Sequence, residues 1–304
     1  MLNAVGKVTD FTMNKKIIAL VLAALMVVMC FAFYGCGGNG ETEDKASDSS
    51  TSEDASTSAD ETTEAAATVK DLDYIKGRGK LVVAITDFAP MNYETKKGNG
   101  EWIGFDTEFT KAVCEKLGVE AEFMQIDWDN RFAELDTKSV DCLWNGMTIN
   151  EAALKATSVS DPYARNAQVV VMKADKIADY PDFESMKDLK FVAEAGSAGE
   201  TEAKKICGEK NYISVKSQAD TLTEVKSGSA DACVIDLTMA QSMTGEGTSY
   251  ADLGFKVELS EEEYGISFRK GSDLTAEVNK IMAELKADGT LDKLAEKYNV
   301  VLVK

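Results

Sequence analysis

The stretch that best indicates the fold of this chain is residues 141–163, DCLWNGMTINEAALKATSVSDPY. Residues 141–144 are predicted to form a buried strand, and residues 145–148 a polar corner that leads into a short helix. Asn150 stands where the N-cap of that helix is expected. A small-residue corner before a helix leaves several backbone N–H groups free, so it can bind an anion or a carboxylate. The alternative is an ordinary strand-to-helix connection.

On both sides of this stretch, from residue 71 to the end, the pattern alternates between strand and helix. Strands are predicted at residues 80–86, 119–126, 168–172, 188–196, 212–217, 230–236 and 264–271, and helices at 106–117, 275–287 and 290–298. Such alternation is typical of parallel sheets covered by helices, and two units of similar size indicate two lobes with a cleft between them. Ligands bind at the carboxyl ends of parallel strands, which here are the loops after Thr86, Trp144, Ala195 and Ile235.

The composition excludes several kinds of site. The 304 residues carry a formal net charge of −19 and include no histidine. This speaks against nucleic-acid binding, and it excludes histidine-based metal sites and a histidine general base. We therefore expect no metal and no cofactor. The six cysteines form no CxxC pair; Cys114, Cys142 and Cys233 are expected to be buried free thiols, although a disulfide stays open.

The N-terminal region has the pattern of an export signal. Residues 13–35 begin with MNKK and continue as an apolar run that ends at a glycine directly before Cys36. This resembles a bacterial lipoprotein signal in which Cys36 is lipidated, although Phe33 stands where such signals usually carry leucine or a small aliphatic residue. The alternative is a transmembrane anchor. Either would place the rest of the chain outside the cytoplasm, and residues 1–12 are interpreted as a mis-assigned start.

Residues 36–70 are predicted to be a disordered acidic tether. They consist almost entirely of Ser, Thr, Asp, Glu, Ala and Gly. Such a segment buries too little apolar surface to offset the loss of chain entropy on folding.

The folded part, from about residue 71 to 304, resembles the bacterial extracellular solute-binding proteins of family 3, which are the polar amino-acid receptors of ABC importers. The most specific match is residues 104–109, GFDTEF, continued by Val113, Cys114 and Leu117. Further matches are Trp128 and residues 145–149, 160–163, 195–197 and 277–298.

The resemblance implies an α/β fold of two lobes, of the type II periplasmic-binding-protein kind. Each lobe would be a mostly parallel sheet flanked by helices, and two hinge crossings would join them. We expect the crossings near residues 165–168 and 271–273. Lobe 1 would comprise residues 71–165 and 273–304, and lobe 2 residues 166–272.

The resemblance also implies ligand-binding residues in each lobe. In lobe 1, Phe88 after Asp87 matches an aromatic position that packs on the ligand, and Trp128 matches a second wall, although core packing is the more common fate of either ring. A third match is to family positions that form hydrogen bonds with the α-carboxylate and α-ammonium of an amino acid. These positions are matched by Asn145, Gly146, Met147 and Thr148.

In lobe 2, Gly196, Ser197 and Ala198 match a turn that holds a carboxylate, with Ala198 replacing a frequent hydroxyl. Asp236 matches the acid that pairs with the α-ammonium; its alternative role is a helix N-cap.

One position departs from the family pattern. Ala153 stands where the family usually carries the arginine that binds the ligand's α-carboxylate. Arg131 and Arg165 are other basic candidates, for which a solvated face or a hinge role is the alternative. Backbone N–H groups alone could also hold the carboxylate, or the ligand could lack one.

The resemblance thus predicts a monomeric, non-enzymatic receptor that captures a small polar amino acid or related amine and delivers it to an ABC permease. The receptor would be anchored outside the cytoplasm by its N-terminal lipid. Two alternatives remain: a cyclohexadienyl-dehydratase-like enzyme on the same fold, and a ligand-sensing surface lipoprotein.

Overall fold

The computed structural model describes residues 69–304. The predicted signal peptide, Cys36 and the tether up to residue 68 lie outside the described residues. The end of the predicted tether is part of the fold, because the Val69 backbone N–H donates to the Gly271 carbonyl over 2.8 Å. The folded part therefore begins at least two residues before the predicted start at residue 71.

The described residues form twelve strands and ten α-helices. The strands are β1 Lys80–Ile85, β2 Tyr93–Glu94, β3 Trp102–Ile103, β4 Glu120–Gln125, β5 Cys142–Thr148, β6 Thr157–Val159, β7 Ala164–Lys173, β8 Phe191–Glu194, β9 Tyr212–Val215, β10 Ala232–Asp236, β11 Leu253–Arg269 and β12 Val301–Leu302. The helices are α1 Asp71–Arg78, α2 Phe105–Leu117, α3 Arg131–Asp136, α4 Glu151–Ala156, α5 Phe183–Met186, α6 Ala198–Cys207, α7 Gln218–Ser227, α8 Leu237–Met243, α9 Leu274–Ala287 and α10 Thr290–Tyr298. Short 3₁₀ turns occupy Trp128–Asn130, Ile177–Asp179 and Glu209–Asn211.

Lobe 1 is built on three parallel strands in the order β4–β1–β5. The central strand β1 has the sequence KLVVAI and is buried along almost its whole length, as expected for a strand covered on both faces. Helix α2 buries Phe109, Val113 and Leu117 along one face. It ends, as predicted, at Gly118, whose φ of 73° lies in the left-handed region that glycine adopts without strain.

Lobe 2 repeats this plan with the parallel strands β9–β8–β10. Helices α6 and α7 pack on β8 and β10. A second buried apolar cluster, which includes Phe191, Ala203 and Val234, fills the space between α6 and the strands. The predicted α/β architecture is confirmed: mostly parallel strands within each lobe, flanked by helices.

Two antiparallel strands, β7 and β11, carry the chain between the lobes. β7 begins to pair with β10 of lobe 2 at Gln168, inside the predicted first crossing. β11 pairs with β7 along residues 253–264 and with β5 and β6 of lobe 1 along residues 264–269. The second crossing therefore lies within β11, near residues 260–264. Our prediction of residues 271–273 was wrong, because hydrogen bonding to β5 and β6 holds residues 264–269 in lobe 1.

The predicted polar corner at residues 145–148 is also corrected. β5 continues through these residues, because Met147 and Thr148 pair with Gly265 and Tyr264 of β11. The predicted N-cap is present: the Asn150 side chain accepts a hydrogen bond from the Ala153 N–H over 3.0 Å. The chain thus enters α4 directly from a strand end.

The four cysteines of the described region, at 114, 142, 207 and 233, are buried free thiols. Among residues 69–304, no helix has both the length and the apolar character needed to cross a membrane.

Candidate functional site

A cavity of about 400 Å³, measured to its open mouth, lies between the strand ends of the two lobes. Lobe 1 contributes β5 and the segments around Trp128 and Ala153, and lobe 2 contributes the ends of β8 and β10 and the start of α6. The lining residues are Trp128, Arg131, Asn145, Gly146, Met147, Thr148, Asn150, Ala153, Glu194, Gly196, Ser197, Ala198, Gln218 and Asp236.

Most of the residues predicted to bind a ligand line this cavity, and two do not. Asp87 lies at a separate surface pocket that also includes Lys97 and Asp220. Phe88 is buried in the core, where its ring meets that of Tyr264 edge-on at 6.5 Å. Phe88 lies beneath the cavity floor, since a Cβ on Gly146 would come within 2.5 Å of its ring. Core packing, the alternative role for this ring, is what the structure shows.

The polar groups of the lobe 1 wall are held in place by neighbours in the core. The Asn145 amide donates to the Thr86 hydroxyl and accepts from the Asn92 amide, both over 2.8 Å. The Gly146 N–H donates to Asp106 Oδ2 over 2.6 Å. Burial raises the pKa of Asp106 to about 7, and the hydrogen bond from Gly146 lowers it by a smaller amount. These bonds fix the wall before any ligand arrives.

Arg131 is the cationic residue of the cavity lining. Its guanidinium stacks over the rings of Phe132, at 4.4 Å, and Trp128, at 5.2 Å, and Nη1 donates to the Trp128 carbonyl over 2.8 Å. Burial lowers the pKa of Arg131, and the nearby Glu194 carboxylate raises it by a smaller amount. The other basic candidate, Arg165, lines a different surface pocket. The guanidinium at the cavity thus belongs to Arg131 of α3. Position 153, where the family usually carries an arginine, is a small buried alanine.

The lobe 2 wall begins at residues 196–198, directly before and inside α6. Ser197 is the N-cap, and its hydroxyl accepts from the Glu200 N–H over 3.0 Å. Gly196 has a φ of 74°, and a Cβ on it would lie 2.7 Å from the Asp129 Cα of lobe 1. A glycine is needed here because the backbones of the two lobes approach each other closely.

Asp236, at the end of β10, is buried and accepts three side-chain hydrogen bonds. The donors are the Asn166 and Gln218 amides and the Tyr264 hydroxyl, the last at 2.5 Å. The alternative role as a helix cap is not what the structure shows, because the Asp236 side chain makes no capping bond to α8. These bonds fix the orientation of the Asp236 carboxyl at the cavity wall.

A second carboxyl, Glu262 on β11, lies beside this network at the crossing between the lobes. It accepts from Gln168 over 2.8 Å and from the Thr148 hydroxyl over 3.0 Å. Burial and the charge of Asp236 raise the pKa of Glu262 to about 9. Burial also raises the pKa of Asp236, and hydrogen bonds from its neighbours lower it by a smaller amount. Glu262, whose pKa is about 9, therefore holds a proton at neutral pH beside Asp236.

The prediction from sequence missed two residues of the lobe 2 wall, Glu194 and Gln218. Glu194 ends β8 and is 2% exposed, and its Oε1 has no hydrogen-bond partner. Burial raises the pKa of Glu194 to about 8; the Thr86 side chain lowers it, the charge of Asp236 raises it and that of Arg131 lowers it by smaller amounts. A charged residue that closes an apolar strand was the available signal for Glu194, because strand ends face the cleft.

Comparisons with known proteins identify the family of this chain. Residues 81–301 match the family model of the bacterial extracellular solute-binding proteins, family 3. The arginine-binding extracellular protein ArtP of Bacillus subtilis is 32% identical over 232 residues, which are 73% of this chain and 87% of that protein.

Two solved structures share the fold. One is the ancestral amino acid-binding protein AncCDT-1, a precursor of cyclohexadienyl dehydratase: TM-score 0.68, 33% identity, covering 75% of this chain and 99% of that one. The other is an ABC uptake transporter substrate-binding protein from Streptococcus pneumoniae with bound histidine: TM-score 0.69, 26% identity, 77% and 99% coverage. The chain therefore belongs to the bacterial extracellular solute-binding proteins of family 3.

Proposed function

We propose that this chain binds a small amino acid in the interlobe cavity and delivers it to the permease of an ABC importer. The observation that carries the proposal is the placement of opposite charges on facing walls, with Arg131 on lobe 1 and Asp236 on lobe 2. An amino acid presents a carboxylate and an ammonium at one carbon, so a single ligand can pair with both. The relatives that bind arginine or histidine support the same class of ligand.

In the proposed complex, Arg131 binds the ligand's α-carboxylate. It replaces the arginine that the family usually carries at position 153, where this chain has an alanine. Its ring-stacked guanidinium uses one donor for the Trp128 carbonyl and has others for a planar anion. The first N–H groups of α6 share the carboxylate, since the N-terminus of a helix favours negative charge. Asp236 accepts the α-ammonium in a charge-assisted hydrogen bond of about 1.5–3 kcal/mol.

The same proposal includes the N-terminal region. Lipid on Cys36 would hold the receptor at the outer face of the membrane, and residues 37–68 would space it from the surface. In this arrangement the receptor works as a monomer, because each cavity is completed by two lobes of one chain.

Native mass spectrometry of the purified full chain, followed by calorimetry with the twenty amino acids, tests the proposal. We expect a co-purified amino acid and binding of at least one of the twenty. A protein that binds none would contradict the proposal.

The enzymatic alternative has one supporting observation, because Glu194 retains a proton near neutral pH and lies in the cavity. A carboxyl of this kind can act as a general acid. Incubation with cyclohexadienyl substrates separates the two functions. A receptor leaves them unchanged, whereas product formation that is lost in Glu194→Gln would establish the enzyme.

A further inference from the structure

Glu194 is the feature of the cavity that the proposed function leaves without a role. Its side chain is buried, lines the cavity and has an oxygen, Oε1, with no hydrogen-bond donor. A buried polar oxygen without a partner is costly, so such groups are normally paired in the working state of a protein.

Within the described residues, no side chain provides that missing donor to Oε1. Arg131 approaches from lobe 1 and acts on Glu194 as a neighbouring charge, but its guanidinium donates its hydrogen bond to the Trp128 carbonyl. The other charged groups around Glu194 are Asp236 on β10 and Asp220 on α7, and both are acidic. The remaining direction from which a donor can come is the cavity.

The charges of the lining point to the kind of donor. The cavity is lined by two carboxyl groups, those of Glu194 and Asp236, and by one cation, that of Arg131. A neutral amino acid supplies one carboxylate for Arg131 and one ammonium for Asp236, and would leave Glu194 unpaired. A ligand with a second cation pairs with all three.

We infer that the ligand is a cationic amino acid whose side-chain guanidinium or ammonium binds Glu194. This inference rests on the proposed function and narrows its substrate class. Glu194 is then a specificity-determining residue, because it discriminates among amino acids by side-chain charge while Arg131 and Asp236 bind the groups that all amino acids share.

Ligand binding is coupled to the ionisation of Glu194. In the empty cavity the Glu194 pKa of about 8 keeps most of the population protonated at neutral pH. A bound cation favours the ionised form and so releases a proton. The affinity for a cationic ligand therefore rises as the pH increases from about 6 to above 8.

Calorimetry with matched ligand pairs on the full chain tests the inference. L-arginine is compared with L-citrulline, whose ureido group has nearly the same shape without the charge, and L-lysine with L-norleucine. We expect at least one cationic member to bind about tenfold or more tightly than its neutral partner. Glu194→Gln should bring that ratio close to one. Asp220→Asn, which removes a nearby exposed carboxylate outside the cavity, should preserve it.

Each outcome of this experiment is decisive. Equal affinity for both members of both pairs in the unmodified protein overturns the inference while leaving an amino-acid receptor intact. A Glu194→Gln variant that folds and keeps the preference overturns it as well. Failure to bind any amino acid contradicts the proposed function and the inference together. The affinity ratio of the unmodified protein is informative even if the variant does not fold.

Discussion

The two walls of the cavity differ in charge and in how completely their polar groups are paired. The lobe 1 wall is cationic and preorganised: Arg131 stacks on aromatic rings, and Asn145 is held by Thr86 and Asn92. The lobe 2 wall is anionic and incomplete, because Glu194 Oε1 has no donor. In the closed arrangement seen here, Lys216 of lobe 2 also contacts Asp127 of lobe 1 at 3.0 Å. This difference suggests that lobe 1 orients the ligand, whereas lobe 2 needs the ligand's positive charge to be stable when closed.

The largest effect is expected from removing charge on the lobe 2 wall. Asp236→Asn should weaken binding about 100-fold, because a charge-assisted hydrogen bond to the α-ammonium is lost. Calorimetry with the ligand identified by mass spectrometry measures this. Asp87→Asn is the matched control, since Asp87 lies at the separate surface pocket. If Asp236→Asn bound as tightly as the control, the ammonium would not pair with Asp236.

A smaller loss is expected from blocking the approach of the two walls. Gly196→Ala places a Cβ 2.7 Å from the Asp129 Cα and should lower affinity about 30-fold, because overpacking costs about 2 kcal/mol in the closed state. Gly228→Ala is the matched control: its φ is 83°, and a Cβ there meets nothing within 4 Å.

Both glycine variants carry the backbone strain of a positive φ, so their free energies of unfolding, measured by denaturant titration without ligand, should fall by similar amounts. Only Gly196→Ala should lose affinity. Equal affinities would show that the lobes close without this contact.

The lobe 1 wall should show a tenfold effect. Arg131→Gln is expected to weaken the binding of α-amino acids about tenfold, less than the lobe 2 change, because helix N–H groups also hold the carboxylate. Agmatine, the decarboxylated counterpart of arginine, should be bound equally by both proteins. Arg165→Gln serves as the control, because Arg165 is exposed and outside the cavity. An equal loss for agmatine would mean that Arg131 only supports the wall.

The last effect concerns the stability of the protein rather than its affinity for a ligand. Burial raises the pKa of Glu194 to about 8, from an ordinary value of 4.5, so the ligand-free native state binds more protons than the unfolded state between these values. The free energy of unfolding should therefore fall as the pH rises from about 5 to 9. Glu194→Gln should flatten the slope in denaturant titrations. Glu262, whose pKa is about 9, contributes in the same direction and stays in both proteins. A slope unchanged by Glu194→Gln would contradict the assignment to this residue.

The sequence predicted the buried strands well and the crossing strand poorly. β1, β8 and β10 are short runs of mostly apolar residues. Such runs indicate buried strands from the sequence alone. The first half of β11 has apolar residues at alternate positions, 253, 255, 257 and 259, which is a strand pattern that our sequence analysis did not use, whereas residues 260–263 are all polar. Residues 260–263 are part of the strand because β7 lies beside them and supplies hydrogen bonds, which is information from a distant part of the chain.

The residues of the candidate site also divide into those that the sequence identified and those that it left open. Motif matches located Asn145, Gly196 and Asp236 because each lies at the end of a predicted strand. The sequence left two questions open: whether the Phe88 ring enters the cavity, and whether Arg131 or Arg165 lines it. Both answers depend on how side chains pack in the folded protein.

By itself the sequence determined the α/β alternation, the helix ends and the cleft-facing strand termini, because apolar periodicity and glycine stops act over a few residues. Only the tertiary structure decided that Glu194 and Asp236 of one lobe face Arg131 of the other, and that Glu194 lacks a partner. These features depend on contacts between groups that lie more than sixty residues apart in the chain and come together in a buried space of low dielectric constant. In this solute-binding protein, the local pattern predicts which strand ends line the cavity, and the facing charges support the kind of ligand that we propose.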